Sequence, residues 1–272
     1  MSDPTEAGYW ADVEWDGFPP PLSDPREWGT EEGRRMLALL WDPPEPPTRG
    51  PRQRLTLDQV VETAMQLAGR DGVDALSMRK VAAELGVGAM SLYTYVPGRD
   101  ELFELMIDRA YADRDLPDPT LPWRAQVEAH AGEAWAMYQR HPWLVWSNLW
   151  RMPLGPHVLD AQEDLYRAVA LAGLPPRETG RVAGLVESHV FGTARAAIVD
   201  TRLSATTGQS ADEYWDSRSA FWGTYYSRER FPTMTSLWEQ GAFDSGDGTE
   251  DEMRFGLGLI LDGVEALAAP GA

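Results

Sequence analysis

From Thr56 onward, apolar side chains recur every three to four residues, and Pro or Gly interrupts each run. This period constrains the fold more than any other feature of the chain. It is the spacing of amphipathic helices, and no stretch alternates apolar with polar residues as a half-buried strand would. The first run is Leu57, Val60, Val61, Ala64, Leu67 and Ala68, with Thr56 and Gln59 at capping-box spacing before it and Asp71-Gly72 after it. Ser77 then caps a second helix carrying Met78, Val81, Ala82 and Leu85, which Gly86 breaks. A third runs from about Ala89 to Tyr95 and stops at Pro97-Gly98. A fourth covers about Arg99 to Tyr111, before the break "DRDLPDPTLP". Further helices are expected near 121–140, 142–151, 157–172, 176–203, 211–229 and 250–268, with Ser210/Glu213 and Thr249/Glu252 at capping-box spacing. The fold class is all-α: an extension over 1–54, a three-helix head with its connecting helix over 55–112, and a larger helical body over 113–272.

The extension is Pro-rich on both sides of "REWGTEEGRRMLALLWD", where Met36, Leu37, Leu40 and Trp41 share one face of a short helix. It ends in a basic cluster, Arg49, Arg52 and Arg54. Such a segment serves as an arm in the DNA minor groove in some proteins. A solvated linker explains it equally well.

A formal net charge of −19 looks wrong for a nucleic-acid binder, but its distribution decides more than its sum. Residues 1–48 carry 3 basic and 11 acidic side chains, residues 49–99 carry 7 and 5, and residues 100–272 carry 14 and 27. The single net-positive window holds the second and third helices. Cys is absent, which excludes disulfides and thiolate metal sites and fits a reducing compartment. The first residues lack the basic and apolar regions of a secretory signal, and no uninterrupted apolar run reaches the ~18 residues of a membrane span. A cytoplasmic protein with no membrane contact is expected.

Two short helices joined at a Gly are the elements of a helix-turn-helix, whose second helix enters the major groove while the first crosses the backbone. Leu92 and Val96 face inward here. Ala89, Ser91, Tyr93, Thr94 and Tyr95 are left for base edges and phosphates, although either Tyr can also pack partly against its neighbours. Arg79 and Lys80 lie at the start of the first helix, where a phosphate can be clamped, and Arg99 follows the Pro-Gly stop.

The segment "LSMRKVAAELGVGAMSLYTYVPGRDEL" after a capped amphipathic helix closely resembles the N-terminal domain of the tetracycline-repressor (TetR) family of bacterial transcriptional regulators. The likeness is strong over about 55–112. Farther on, "RFPTMTSLWEQGAF" and "FGLGLILDGVEAL" look like the tetracycline-repressor type of C-terminal domain. The resemblance implies a homodimer that binds a double-stranded DNA operator and a small-molecule effector. By position it assigns operator contact to Ser77, Arg79, Lys80, Ala89, Ser91, Tyr93, Thr94, Tyr95 and Arg99. Ala89 stands where a polar residue is common, and Arg99 where Lys is common.

The resemblance also implies a pocket in the body. Its aromatic candidates are Trp135, Tyr138, Trp143, Trp146 and Trp150, with Asn148, Arg151, His189 and Arg195 as the polar minority. A Trp-rich core explains any single one of these as well. Asn148 stands at the place of the family's metal-binding His, and His130 with Glu133 gives too few ligands for a site, so no metal and no cofactor are expected. Gly184, Ser188, Gly192 and Ala196 form a small-residue stripe. With Gly256, Ile260, Gly263 and Leu267 of the last helix it suits a four-helix dimer interface, or close packing within one chain. No nucleophile elbow, P-loop, zinc-protease or dinucleotide motif is present, so a non-enzymatic regulator is expected. The competing reading is a protein-interaction module whose helix-turn-helix is inactive on DNA.

Overall fold

In a computed structural model, the described residues are 29–43, 55–243 and 248–269, the Trp150 side chain excepted. Among them every regular element is helical. The chain divides into two units, Met1–Glu45 and Pro46–Ala272. The first contains α1 (Glu31–Trp41), capped by Thr30, whose hydroxyl accepts the Gly33 N–H at 3.0 Å. Met36 and Leu40 are buried while Leu37 and Trp41 are exposed, so the expected four-residue face is half as wide as the spacing predicts. Arg49, Arg52 and Arg54 lie outside the described residues.

In the second unit, α2 (Leu57–Asp71) starts with the expected capping box. Thr56 N–H donates to Gln59 Oε1 at 3.0 Å, and Gln59 N–H donates to Thr56 Oγ1 at 3.2 Å. A 3-10 turn (Val73–Ala75) leads to α3 (Met78–Glu84), where Ser77 Oγ accepts the Lys80 N–H. Gly86 then takes φ +68°, and Val87 N–H donates back to Ala82 at 2.9 Å. An L side chain resists this left-handed turn, which is why the chain stops α3 at a Gly. After it come α4 (Ala89–Leu92) and α5 (Arg99–Ala112). Val60, Val81, Leu92, Val96, Leu102 and Met106 are fully buried between these helices. Each such burial contributes about 1.5–3 kcal/mol against the entropy of ordering the chain.

The body is α6 (Trp123–Arg140), two 3-10 turns (Pro142–Trp146 and Leu149–Arg151), α7 (Pro156–Ala170), α8 (Pro176–Thr207), α9 (Ala211–Asp216), α10 (Ala220–Thr224), α11 (Pro232–Glu239) and α12 (Thr249–Ala268). Helix α8 packs on α6, α7 and α12, and Arg124 of α6 reaches Asp262 at 2.8 Å and Glu265 at 3.1 Å on α12. Helix α5 contacts α2 in the head and α7 in the body, so it joins the two.

Several expectations need correcting. The helix near 142–151 is two 3-10 turns separated by extended Ser147, because so short a segment between prolines cannot propagate a helix. The helix over 211–229 breaks at Ser217 to Ser219, where the Ser217 hydroxyl and the Arg218 guanidinium both bond the Tyr214 carbonyl. Helix α11 was not foreseen. At α12 the cap is Gly248, whose N–H donates to Asp251 at 3.3 Å, and Thr249 is already helical. Helix α8 is long and apolar enough to cross a membrane by length and composition alone, a test that a helix packed within a helical body also passes.

Candidate nucleic-acid interface and ligand cavities

The α3–turn–α4 unit presents one exposed face. Leu92 and Val96 anchor α4 from below, and Arg79, Lys80, Ser91, Tyr93 and Thr94 are exposed. Ser77, Ala89 and Tyr95 are half-buried. Thr94 already donates its hydroxyl to the Ser91 carbonyl at 2.7 Å, leaving its methyl and its lone pairs outward. Met90 is 77% exposed beside Ala89, a large apolar side chain that the sequence reading passed over. Its position just after the Gly88 cap was the available signal. Arg99 has a second occupation. Its Nε donates to the Leu76 carbonyl at 3.1 Å, its Nη2 to Val73 at 3.0 Å, and its Nη1 lies 3.5 Å from Asp100. Much of its donor capacity therefore braces the loop before α3.

The head is locked to the body through Asp108 of α5, a buried carboxylate. Its Oδ1 accepts the backbone N–H of His157 at 3.1 Å and of Val158 at 3.0 Å, and its Oδ2 lies 2.7 Å from His157 Nδ1. It thereby caps the first turn of α7 and meets the positive end of that helix. Gly155 permits the approach, since a Cβ there would overlap the Asp108 carboxylate.

Two cavities bear on ligand binding. One, of about 170 Å³, lies between α5, α7 and α8 and is lined by Tyr111, Gln162, Tyr166, Glu187 and Ser188 among others. Behind it sits a buried polar cluster. His130 Nε2 is 3.0 Å from Glu187, Arg114 Nη2 donates to the His130 carbonyl at 3.1 Å, and Tyr111 bonds Tyr138. Burial pushes Glu187 up, but the hydrogen bond and pull of His130, helped by Arg114, outweigh it and leave its carboxyl below the ordinary range. Burial likewise lifts Tyr111 well above the usual phenol range, reinforced by the Glu187 charge. Arg114 Nε and Nη1 and His130 Nδ1 are buried with no hydrogen-bond partner. The second cavity, of about 450 Å³, lies where the head meets the body and is walled by the end of α2, by Trp143 and Trp146, and by α8.

The expected pocket residues are therefore scattered. Trp135 and Tyr138 are core side chains, because α6 turns them into the helix layer. His189 lies at the crossing of α8 and α12, its Nε2 2.8 Å from the Met253 carbonyl, so it holds two helices together and lines neither cavity. Trp143 and Trp146 line the cavity between head and body, and Arg195 lies 5.2 Å from the Trp146 ring. Asn148 and Arg151 are exposed, and the Trp150 side chain lies outside the described residues. His130 and Glu133 do not converge: the first meets Glu187, the second accepts the Asp115 N–H.

Along α8, Gly184, Ser188, Gly192 and Ala196 are exposed, with Leu185, Val199 and Leu203 beside them. Gly184 and Ser188 also edge the body cavity. On α12, Gly263 and Leu267 are exposed with Phe255 and Leu259, and Ile260 is half-buried. At Gly256 the second of the two expectations applies: the His189 ring of the same chain occupies the space where its Cβ would be, so it serves intrachain packing. The small elements α9 to α11 carry no buried residue; the Trp222 ring contacts both Tyr226 and Trp238, with centroids 5.3 Å and 4.4 Å away.

Comparison with known proteins adds to this geometry. The family described as bacterial regulatory proteins, tetR family, matches residues 60–106, and that described as tetracyclin repressor-like, C-terminal domain, matches 116–268. The HTH-type transcriptional repressor DrrR1 of Streptomyces coeruleorubidus is 40% identical over 243 residues, 89% of this chain and 88% of DrrR1. An HTH-type transcriptional regulator of Saccharopolyspora erythraea is 32% identical over 80% of this chain and 90% of its own. The structure of ActR from Streptomyces coelicolor in complex with actinorhodin superposes with a TM-score of 0.67 at 28% identity, covering 80% of this chain and 100% of ActR.

Proposed function

The chain belongs to the tetR family of bacterial regulatory proteins, and from that membership we propose how it works as a ligand-responsive DNA-binding repressor. The observation that carries the reading is the exposed face of α3 and α4, the net-positive part of a strongly acidic chain. Arg79 and Lys80 bind phosphates and set the register. Ser91, Tyr93 and Thr94, with Met90 beside them, meet the major groove, and Ser77, Ala89, Tyr95 and Arg99 complete the contact from half-buried or braced positions. A two-fold dimer through α8 and α12 places two such faces about 34–36 Å apart, one helical turn of DNA, on a near-palindromic operator.

The effector enters the body cavity between α5, α7 and α8. ActR, whose structure is similar, binds actinorhodin. Here Tyr111, Gln162 and Glu187 offer polar anchors, and Arg114 and His130 stand behind them with buried, unpartnered nitrogens. A multi-ring effector must widen a space of about 170 Å³. Helix α5 forms one wall and also carries the head, so widening shifts the head relative to the body. Effector and operator then weaken each other by the same factor. Regulators of this family are in general non-enzymatic, and we read this chain as one that performs no turnover, acting in the cytoplasm where its operator is.

Fluorescence anisotropy against DNA flanking the protein's own gene, with competitor DNA and a salt series, tests the reading. Tight, salt-dependent binding to one fragment is expected, weakened about tenfold or more by Arg79→Ala with Tyr93→Ala. Equal binding by the double variant sinks this interface.

A further inference from the structure

We infer that the cavity between head and body is a second small-molecule site, distinct from the body cavity, and that it takes a flat aromatic anion. Its position is the first argument. One wall is the end of α2 and the following turn, residues Ala68 to Val73, which belong to the head. The opposite wall is Ile198, Thr201, Arg202 and Ala205 of α8, which belong to the body. At about 450 Å³ it falls within the range that encloses a small organic ligand, whereas the body cavity does not.

The second argument is chemical. Trp146 is 42% exposed, and the guanidinium carbons of Arg195 and Arg202 lie 5.2 Å and 5.8 Å from its ring centroid. Of these two cations Arg202 lines the cavity, beside the Trp143 and Trp146 walls. Aromatic walls next to an exposed guanidinium recognise a flat ring that bears a negative charge: the ring packs against the indoles, and the anion meets the guanidinium. Arg202 retains capacity for that anion. Among the described residues its ion-pair partner is Asp74, 3.9 Å away and beyond hydrogen-bond distance, and the Arg202 side chain is 49% exposed. Arg70, also on the wall, is already held by Asp71 and Glu84.

The third argument links the site to function. Trp143, a buried wall of the cavity, packs edge-on against Phe103 of α5 at 5.8 Å. A ligand against Trp143 therefore presses on the helix that carries the head. Because the two walls belong to head and body, any change in their relative orientation reshapes the site. A ligand bound there has different affinities for the two orientations, which is the requirement for regulation.

The probe is 3-hydroxy-2-naphthoate, titrated into the full-length protein by isothermal titration calorimetry. One site per chain is expected. Trp146→Ala and Arg202→Gln each weaken it about tenfold or more, the scale of a lost stacking or charged hydrogen-bond contact. Thr201→Trp, an exposed substitution at the mouth, abolishes binding without disturbing the core, as unchanged circular dichroism would verify. Naphthoate bound in the presence of operator DNA has a different affinity from naphthoate bound without it. Absence of binding at millimolar probe, binding undiminished in all three variants, or loss in Tyr166→Ala alone, which places the probe in the body cavity, overturns the inference. The titration of the wild type and the three variants needs no DNA, so the existence of the site is decided apart from whether the head reads an operator; only the affinity comparison with operator rests on that reading.

Discussion

At the residue scale, the two arginines at the ends of the reading unit illustrate what a motif does and does not reveal. Both stand where a phosphate clamp is expected. Arg79 is exposed, whereas Arg99 gives two donors to the Leu76 and Val73 carbonyls. The two substitutions should separate. Arg99→Ala leaves two carbonyls without their charged donor, costing about 1–3 kcal/mol and lowering Tm by about 2–4 °C per kcal/mol, together with operator affinity. Arg79→Ala should lower operator affinity and the salt slope while leaving Tm within a degree or so, as expected of a surface charge. Thermal melts beside anisotropy check both. The caps at Thr56 and Ser77 were legible because they depend on neighbours three residues away. The brace at Arg99 spans more than twenty residues and was not.

At the element scale, helix existence was mostly legible and helix purpose was not. The long amphipathic runs of α2, α5, α6, α7 and α8 are where periodicity places them, since burial of one stripe requires that spacing. Short elements without a buried stripe were only partly legible: α9 starts at the expected Ser210/Glu213 capping box, but the division of 211–229 into α9 and α10 and the existence of α11 were not marked, because none of the three contains a buried residue. The function of α7 rests on Asp108, which caps it from another helix. Asp108→Asn keeps the volume but removes the charge facing the N-terminus of α7, so that element should loosen. The expected result is a loss of about 1–3 kcal/mol in urea unfolding and faster amide exchange at the start of α7, with α12 unaffected. Equal exchange at both helices would mean that the carboxylate does not join head to body.

At the scale of the whole molecule, one unsatisfied demand among the described residues is the apolar face of α8 and α12, where Leu185, Leu203, Phe255, Leu259 and Leu267 are each more than half exposed. Gly192 lies within it, and a side chain added there meets nothing within 4 Å in a single chain. Gly192→Leu should therefore fold normally and fail only where another helix must approach. Analytical ultracentrifugation should show the wild type as a dimer and the variant shifted toward monomer, with operator affinity falling because one head alone binds half a site. A variant dimer of undiminished stability would move the interface elsewhere. The small-residue stripe was legible in α8, whereas the choice left open at Gly256 between dimer and intrachain packing needed the position of the His189 ring, because a small residue permits close approach without saying whose side chain approaches.

The amino-acid sequence by itself determined the helical class, the caps and turn of the reading unit, and the family, because each depends on short-range periodicity and local hydrogen bonding. Only the tertiary structure decided which aromatic residues are core and which line a cavity. It also set the carboxylate that joins head to body and the space left between α2, Trp146 and α8. Those features arise where elements distant in sequence meet, and the side chains that meet there carry no local mark of their partners.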